Sequence, residues 1–272
     1  MIPFSCKLRD KTYTPIIKNQ VIWDYAEALV ADYKSSLLKE PSPINVVHFL
    51  ESYLGATVEY QDIYYEKGDS PIAGATVFND DLIRVFDREG LCTRCIEISA
   101  GTIIIDNATV DTGNKGYEAF TGLHEGGHFV MHPEVYRRDT NQISFFESPK
   151  DGRHVVCCRK NTMFPKYTGR KLTPAENREH QANTFAAFVA MPRQTFIPYA
   201  TELIRDAGFT EGLFIYDDSD WESDRALEKI CDCLIEAYGV SYTAAKIHLK
   251  ELGLMMGVHQ YEDYKAQLSV MV

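Results

Sequence analysis

Apolar side chains recur at helical spacing near the start of the chain. Within residues 17–38 they fall three or four positions apart and mark one face of a predicted helix: Ile22, Ala26, Leu29, Val30 and Tyr33. Pro41 and Pro43 interrupt this pattern. The segment INVVHFLESYLG that follows predicts a second helix, which ends at Gly55.

The hydrophobic period then shortens to that of β-strands. Five runs between residues 57 and 106 are rich in β-branched and aromatic side chains and are separated by Gly, Asn and Asp: TVEYQDI, ATVF, LIRVFD, CIEIS and TIIID. Together they predict a small antiparallel sheet. The last run allows two interpretations. It is either an edge strand to which an extended substrate adds by backbone hydrogen bonds, or a buried core strand, which its three consecutive isoleucines equally support.

Helical spacing returns at residues 117–132 and again after an irregular stretch. Thr173, Pro174 and Glu176 supply an N-cap hydroxyl, a proline at the first helical position and a glutamate at the third, which predict a capping box. The helix that begins there is expected to stop before Pro192. Three more helices and a short tail are expected after it, at residues 193–207, 221–238 and 241–251.

The order of these elements favours an α+β fold, with a small, mostly antiparallel sheet packed against helices. The length of 272 residues and the hydrophobic fraction of 45% are those of an ordinary globular chain. We expect residues 1–192 to form the core, with residues 133–172 as an insertion. Residues 193–272 are expected to form a helical C-terminal part packed on that core.

Charge and cysteine content narrow the function. The formal net charge of −11 argues against direct nucleic-acid binding, because a face that binds phosphates must be basic. The exception is the insertion at 133–172, where nine Lys/Arg and four Asp/Glu give a local charge of +5. No apolar run approaches the ~18 residues that cross a bilayer, and the first residues predict no export signal. Seven cysteines, an odd number, do not suggest a disulfide framework, so we expect a reduced, soluble, cytoplasmic protein.

The segment His124-Glu125-Gly126-Gly127-His128 carries the candidate chemistry. Residues four apart on a helix differ by about 40° in direction, so both imidazoles project from one face and suit a tetrahedral zinc ion. Glu125 lies beside the first ligand, where it can accept a proton from a zinc-bound water as a general base. Each glycine costs a helix about 1 kcal/mol relative to alanine, which suggests that something packs closely against them.

A catalytic zinc needs a third protein ligand and an open position. The helix after the capping box offers Glu179, with Asn183 one turn later, where it can hydrogen-bond a ligand imidazole. His180 and Glu176 are competing third ligands. His180 lies about 100° around the helix from Glu179, so only one of these two faces the site. Spacing alone favours Glu179 without excluding its competitors.

Two segments, LHEGGHFVMH and ENREHQANTFAAFVAMP, together resemble the ImmA/IrrE family of zinc metallo-endopeptidases. The second segment matches the family pattern at seven positions: Glu179, Ala182, Asn183, Phe185, Ala186, Met191 and Pro192. The resemblance assigns the third ligand to Glu179 and places Gln181 where many members carry a dispensable acid. It covers most of residues 17–255.

This resemblance implies a zincin-like fold, a bound Zn²⁺ and a cytoplasmic endopeptidase of a phage or integrative element. The implied protein partner is a helix-turn-helix repressor, which the enzyme cleaves. The alternative is a non-catalytic zinc module that binds and sequesters the repressor. Fifty residues separate His128 from Glu179, so we expect the insertion to lie beside the site, and Gly126 replaces the usual aliphatic residue. No helix-turn-helix segment precedes the motif, so no direct operator binding is expected.

Four further residues are candidates for contacts with the substrate. His132 lies one helical turn beyond His128 and is expected to hydrogen-bond a neighbour or the substrate. His154, Tyr117 and Tyr136 are candidates for stabilising an oxyanion, although a packed or solvated role suits each of them better.

The cysteines allow two further hypotheses. Cys92, Cys95, Cys157 and Cys158 could form a second, four-thiolate zinc site, although adjacent cysteines fit one tetrahedron poorly and ordinary buried thiols are the simpler interpretation. Alternatively, Cys157 or Cys158 could reach the catalytic zinc and block its open position, which would keep the enzyme latent.

Overall fold

A four-stranded mixed sheet lies at the centre of the fold. The computed structural model describes residues 1–136, 155–159 and 170–271. The strands in chain order are β1 (Thr57–Gln61), β2 (Ile72–Val77), β3 (Asp81–Asp87), β4 (Cys92–Ile98), β5 (Thr102–Asp106), β6 (Val155–Arg159), β7 (Phe214–Tyr216) and β8 (Met255–Gly257). The central sheet has the order β1-β5-β2-β6, with β1 and β5 parallel and the other two pairs antiparallel. The predicted α+β class with a small sheet is confirmed.

Helices pack around this sheet, and most of them lie where the sequence predicts. In chain order they are α1 (Asn19–Lys34), α2 (Val46–His48), α3 (Asn107–Asp111), α4 (Lys115–Met131), α5 (Pro133–Tyr136), α6 (Pro174–Ala190), α7 (Arg193–Asp206), α8 (Trp221–Tyr238), α9 (Tyr242–Glu251) and α10 (Val258–Met271). A 3-10 turn prolongs α1, and a π-helical turn prolongs α2 as far as Gly55. One cluster of buried apolar side chains joins α1, α4 and α6 to α7, α8 and α9. None of the helices in the described ranges has both the length and the apolar character that crossing a bilayer requires.

Three expectations for the chain trace are wrong. The predicted runs do not form a single antiparallel sheet, because β3 and β4 pair with each other as a separate hairpin and β1 is parallel to β5. The predicted irregular stretch at residues 133–172 contains α5 and β6, and β6 joins the central sheet beside β2. The predicted short tail forms β8 and α10, with β8 paired to β7. Part of each error lies in the pairing of strands that are distant in sequence: β1 with β5, β2 with β6 and β7 with β8.

The interpretation of TIIID as an edge strand is also wrong. This run is β5, which lies between β1 and β2 and is therefore an interior strand. Ile103 packs in the main apolar cluster and Ile104 in a second cluster, so both faces of β5 are covered. A strand buried on both faces has no need of alternating polar residues, which explains the three consecutive isoleucines.

The capping box of α6 is confirmed. The Thr173 hydroxyl oxygen accepts a hydrogen bond from the backbone N–H of Glu176 at 3.3 Å. The Glu176 carboxylate accepts one from the backbone N–H of Thr173 at 2.9 Å, so each residue satisfies the other. Arg170 pairs with the same carboxylate. These contacts define where α6 begins.

Glycine allows α4 and α6 to approach each other closely. A Cβ on Gly127 would lie 3.1 Å from the Cα of Ala182 and 3.1 Å from a ring carbon of Phe185 in α6. On another face of α4, a Cβ on Gly126 would lie 2.8 Å from a methyl carbon of Leu50. The close packing inferred from the two adjacent glycines is therefore present, and it brings the motif helix against α6.

The first glycine of α4 provides a test of this packing. A Cβ on Gly116 would overlap the backbone of Val240 and Ser241, whereas a Cβ on Gly126 meets the flexible end of Leu50. We predict that Gly116→Ala lowers the free energy of unfolding by about 2–3 kcal/mol, because backbone cannot move aside cheaply. Gly126→Ala is the control and should change it by less than about 1 kcal/mol. Urea denaturation measures the free energy of unfolding of both variants. If Gly116→Ala had the same value as the parent protein, the close packing of Gly116 against Val240 and Ser241 would be contradicted.

Candidate metal centre

His124 and His128 lie one turn apart on the buried face of α4. Both side chains are fully buried, and their Nε2 atoms are 3.1 Å apart. Glu179 reaches them from α6, with Oε2 at 3.4 Å from His124 Nε2 and Oε1 at 3.4 Å from His128 Nε2. The ligand atoms of these three residues all lie within 4.8 Å of one another, so the group could hold a metal ion.

The separations suit tetrahedral coordination. Ligand atoms at about 2.0–2.1 Å from a zinc ion, with tetrahedral angles, lie about 3.3–3.4 Å from each other. Charge suits a cation as well. Burial lowers the pKa of His128 and favours its neutral form. Burial also acts to raise the pKa of Glu179, but the adjacent imidazoles of His128 and His124 outweigh it and hold that pKa well below its usual range. A buried, ionised carboxylate therefore faces two imidazoles, a donor set that suits a cation.

Asn183 orients the first imidazole. Its Oδ1 atom lies 2.8 Å from His124 Nδ1. Because an amide oxygen only accepts hydrogen bonds, His124 Nδ1 must carry the proton, and its Nε2 lone pair is directed toward Glu179. Glu179 and Asn183 are one turn apart on α6, so the position that the sequence suggests for Asn183 is the position found.

Glu125 is completely buried beside these residues. Its Oε2 atom accepts a hydrogen bond of 2.6 Å from the Thr76 hydroxyl of β2. Its Oε1 atom is buried and has no hydrogen-bond partner among the described residues. Burial raises the pKa of Glu125 to about 7, against the opposing effects of His124 and Thr76. The carboxyl group is thus poised near neutrality, with one oxygen held and the other available.

Strand β2 contributes to the site in a way that the sequence did not indicate. Besides Thr76, it places Gly74 against α4, where a Cβ would lie 2.9 Å from the methyl carbon of Thr121 and 3.0 Å from Glu125 Cγ. Only glycine leaves room for the Glu125 side chain at this point. The one available signal was a glycine inside a strand-like run, which often marks a close approach of another group.

The competing third ligands point elsewhere. Glu176 is committed to the capping box and to Arg170 at the start of α6. His180 Nε2 lies 3.1 Å from the Asn19 side-chain oxygen of α1. The choice of Glu179 over both therefore agrees with the geometry, since neither competitor belongs to the group of possible metal ligands.

The four candidates for substrate contacts have different outcomes. His132 is fully buried and lies between His128 and Gln181, so it contacts neighbours and is not placed to meet a substrate. The ring of Tyr117 packs partly against the main apolar cluster, two turns before His124. The Tyr136 hydroxyl accepts a hydrogen bond of 2.7 Å from Arg178 Nε. His154 lies outside the described residues.

The cysteines do not support a shared site. Cys92 and Cys95 are exposed and lie three positions apart on β4, a spacing that places them on opposite faces of the strand. The β3–β4 hairpin is also separate from the β2–β6 pair that contains Cys157 and Cys158. One ion therefore cannot be held by both thiols of β4. The side chains of Cys157 and Cys158 lie outside the described part of the chain, so their role in latency stays a prediction.

Comparison of the chain with family profiles, with curated proteins and with solved structures finds no match in any of the three. The site geometry and the sequence motifs are thus the basis for inferring a function. The resemblance to the ImmA/IrrE family stays a prediction.

Removing the charge of Glu179 tests the centre. We predict that the parent chain binds about one zinc ion and that Glu179→Gln, which keeps the shape but not the charge, loses it. His180→Gln is the matched control, since this neighbouring side chain is directed toward Asn19. Elemental analysis after dialysis against zinc-containing and then zinc-free buffer measures the metal content. Equal zinc in the parent and in Glu179→Gln would contradict the site.

Proposed function

We propose that this protein is a zinc-dependent endopeptidase that cleaves a protein substrate. The observation that carries the proposal is the Glu125 carboxyl group, which is fully buried beside His124, His128 and Glu179 with one oxygen unpaired. A purely structural metal site does not need a second, desolvated acid whose pKa is raised to about 7. A general base that works near neutral pH has such properties.

Zinc is the metal that we propose for this centre. Two imidazole nitrogens and one carboxylate form a donor set typical of catalytic zinc, which keeps one position open. Bound zinc would lower the pKa of a coordinated water to about 7 and polarise the carbonyl group that is attacked. The donor atoms of His124, His128 and Glu179 would hold the ion from two helices.

Glu125 and Thr76 would handle the proton. Thr76 holds Glu125 Oε2 by a hydrogen bond of 2.6 Å, which leaves Oε1 to accept a proton from the attacking water. The same oxygen would then deliver that proton to the nitrogen of the leaving peptide.

The substrate class rests on the motif resemblance. The segments LHEGGHFVMH and ENREHQANTFAAFVAMP resemble the ImmA/IrrE family, which implies a zincin-like fold and a helix-turn-helix repressor of a phage or integrative element as substrate. We place the activity in the cytoplasm on the same basis. The net charge of −11 agrees with a protein rather than a nucleic acid as the direct partner.

Replacing the general base tests the reaction. We predict that Glu125→Gln lowers the cleavage rate about 10²–10⁴-fold, the usual contribution of a positioned base, with zinc content and fold retained. Glu118→Gln, the same change on a partly exposed part of α4, is the control. The assay incubates the zinc-loaded chain with a helix-turn-helix repressor encoded beside its gene and measures fragments by mass spectrometry. Repressor that is inactivated without cleavage, equally by parent and Glu125→Gln, would favour the sequestering module instead.

The Thr76 hydroxyl allows a second test. Thr76→Val keeps the shape but leaves Glu125 Oε2 without its donor, and we predict a fall of about 10–100-fold in kcat with little change in KM. Thr76→Ser restores a hydroxyl and should recover most of the rate. Zinc content should be equal in all three proteins. If kcat fell equally in Thr76→Val and Thr76→Ser, only the packing of Thr76 would matter and not its hydroxyl group.

A further inference from the structure

A row of buried side chains connects His128 to the N-terminal segment of the chain. His128 Nδ1 lies 3.0 Å from His132 Nδ1, and His132 Nε2 lies 2.9 Å from Gln181 Oε1. At the far end, Gln181 Nε2 lies 2.8 Å from the carbonyl oxygen of Pro15. The three side chains are at most 1% exposed, so bulk water does not replace any of these contacts.

The carbonyl group of Pro15 determines how Gln181 is oriented. A carbonyl oxygen only accepts hydrogen bonds, so the amide nitrogen of Gln181 must face Pro15. The reverse orientation would hold two carbonyl oxygens 2.8 Å apart, where they repel each other. Gln181 Oε1 is therefore turned toward His132 Nε2, and this oxygen also only accepts.

The proton positions of both imidazoles follow from this orientation. His132 must carry its proton on Nε2 in order to donate to Gln181 Oε1, so a neutral His132 presents a lone pair at Nδ1. His128 must then donate from Nδ1, because the two Nδ1 atoms are 3.0 Å apart and one must be the donor. The lone pair of His128 is left on Nε2, the atom that faces Glu179 and His124.

We propose that Gln181 is a positioning residue. The carbonyl group of Pro15 orients Gln181, and Gln181 acts through His132 to hold His128 in the tautomer required for metal binding. The proposal rests on the metal centre of the proposed function and extends it to a part of the chain outside the two ligand helices. Gln181 touches no ligand atom of the centre and acts only through His132.

The N-terminal segment is held firmly enough for this role. Thr14 is fully buried, and its hydroxyl accepts a hydrogen bond of 2.7 Å from Arg178 of α6. The Asp10 carboxylate accepts hydrogen bonds from the backbone N–H groups of Thr12 and Thr14 and so fixes the turn before Pro15. The Pro15 carbonyl is therefore tied to the same helix that carries Gln181.

The zinc-free parent protein provides the first test. Long-range ¹H–¹⁵N NMR at a pH of about 8, above the ordinary histidine pKa of about 6.5, reports which ring nitrogen carries the proton. We expect the proton of His128 on Nδ1 and that of His132 on Nε2. A proton on Nε2 of His128 or on Nδ1 of His132 would overturn the proposal. This measurement needs no variant and does not depend on peptidase activity.

A variant of Gln181 provides the second test. Gln181→Leu keeps the size but leaves His132 free to carry its proton on either nitrogen, so we expect mixed tautomers of His128 and a 10–100-fold weaker affinity for zinc. Thr184→Val, another buried polar-to-apolar change on α6, is the matched control and should alter neither. Competition with a zinc chelator measures the affinity. If Gln181→Leu leaves either the tautomer of His128 or the zinc affinity unchanged, the proposal is overturned. Failure of the peptidase proposal would instead appear only in cleavage assays.

Discussion

The close approach of α4 and α6 is the constraint on which the site depends. Two imidazoles on one helix can face a carboxylate on another only if the helices nearly touch, and Gly127 against Ala182 allows this contact. Any side chain at Gly127 would push the helices apart by several tenths of an ångström. Ligand geometry tolerates little error, so a glycine that weakens the helix intrinsically is favourable here because it positions Glu179.

Burial at the contact between α4 and α6 changes the pKa values of the acids there. Glu125 and Glu179 are two acids in one buried region, and they respond in opposite ways. Glu179 lies between two imidazoles and stays ionised, whereas burial dominates for Glu125 and raises its pKa to about 7. Two carboxyl groups with separated pKa values can take different roles, one as a ligand and the other as a proton acceptor.

Local patterns predicted the helices well, and non-local contacts explain what they missed. The capping box at Thr173 and the four-residue spacing of His124 and His128 are each properties of a single helix, so they can be predicted from neighbouring residues. The choice of Glu179 needed the motif resemblance as well. The parallel pairing of β1 with β5 and the pairing of β2 with β6 depend on register between strands that are distant in sequence. The contacts of Thr76 and Gln181 could not be predicted for the same reason: their partners, Glu125 and Pro15, are distant in sequence.

The two proposed imidazole ligands are oriented by different parts of the chain. Asn183 holds His124 from within α6, while His132 and Gln181 hold His128 and end at Pro15, before α1 begins. Displacement of the N-terminal segment would therefore disturb one ligand and leave the other in place. Because Glu179, Gln181 and Asn183 come from one stretch of α6, that helix supplies the proposed carboxylate ligand and also contacts, directly or through His132, both imidazoles.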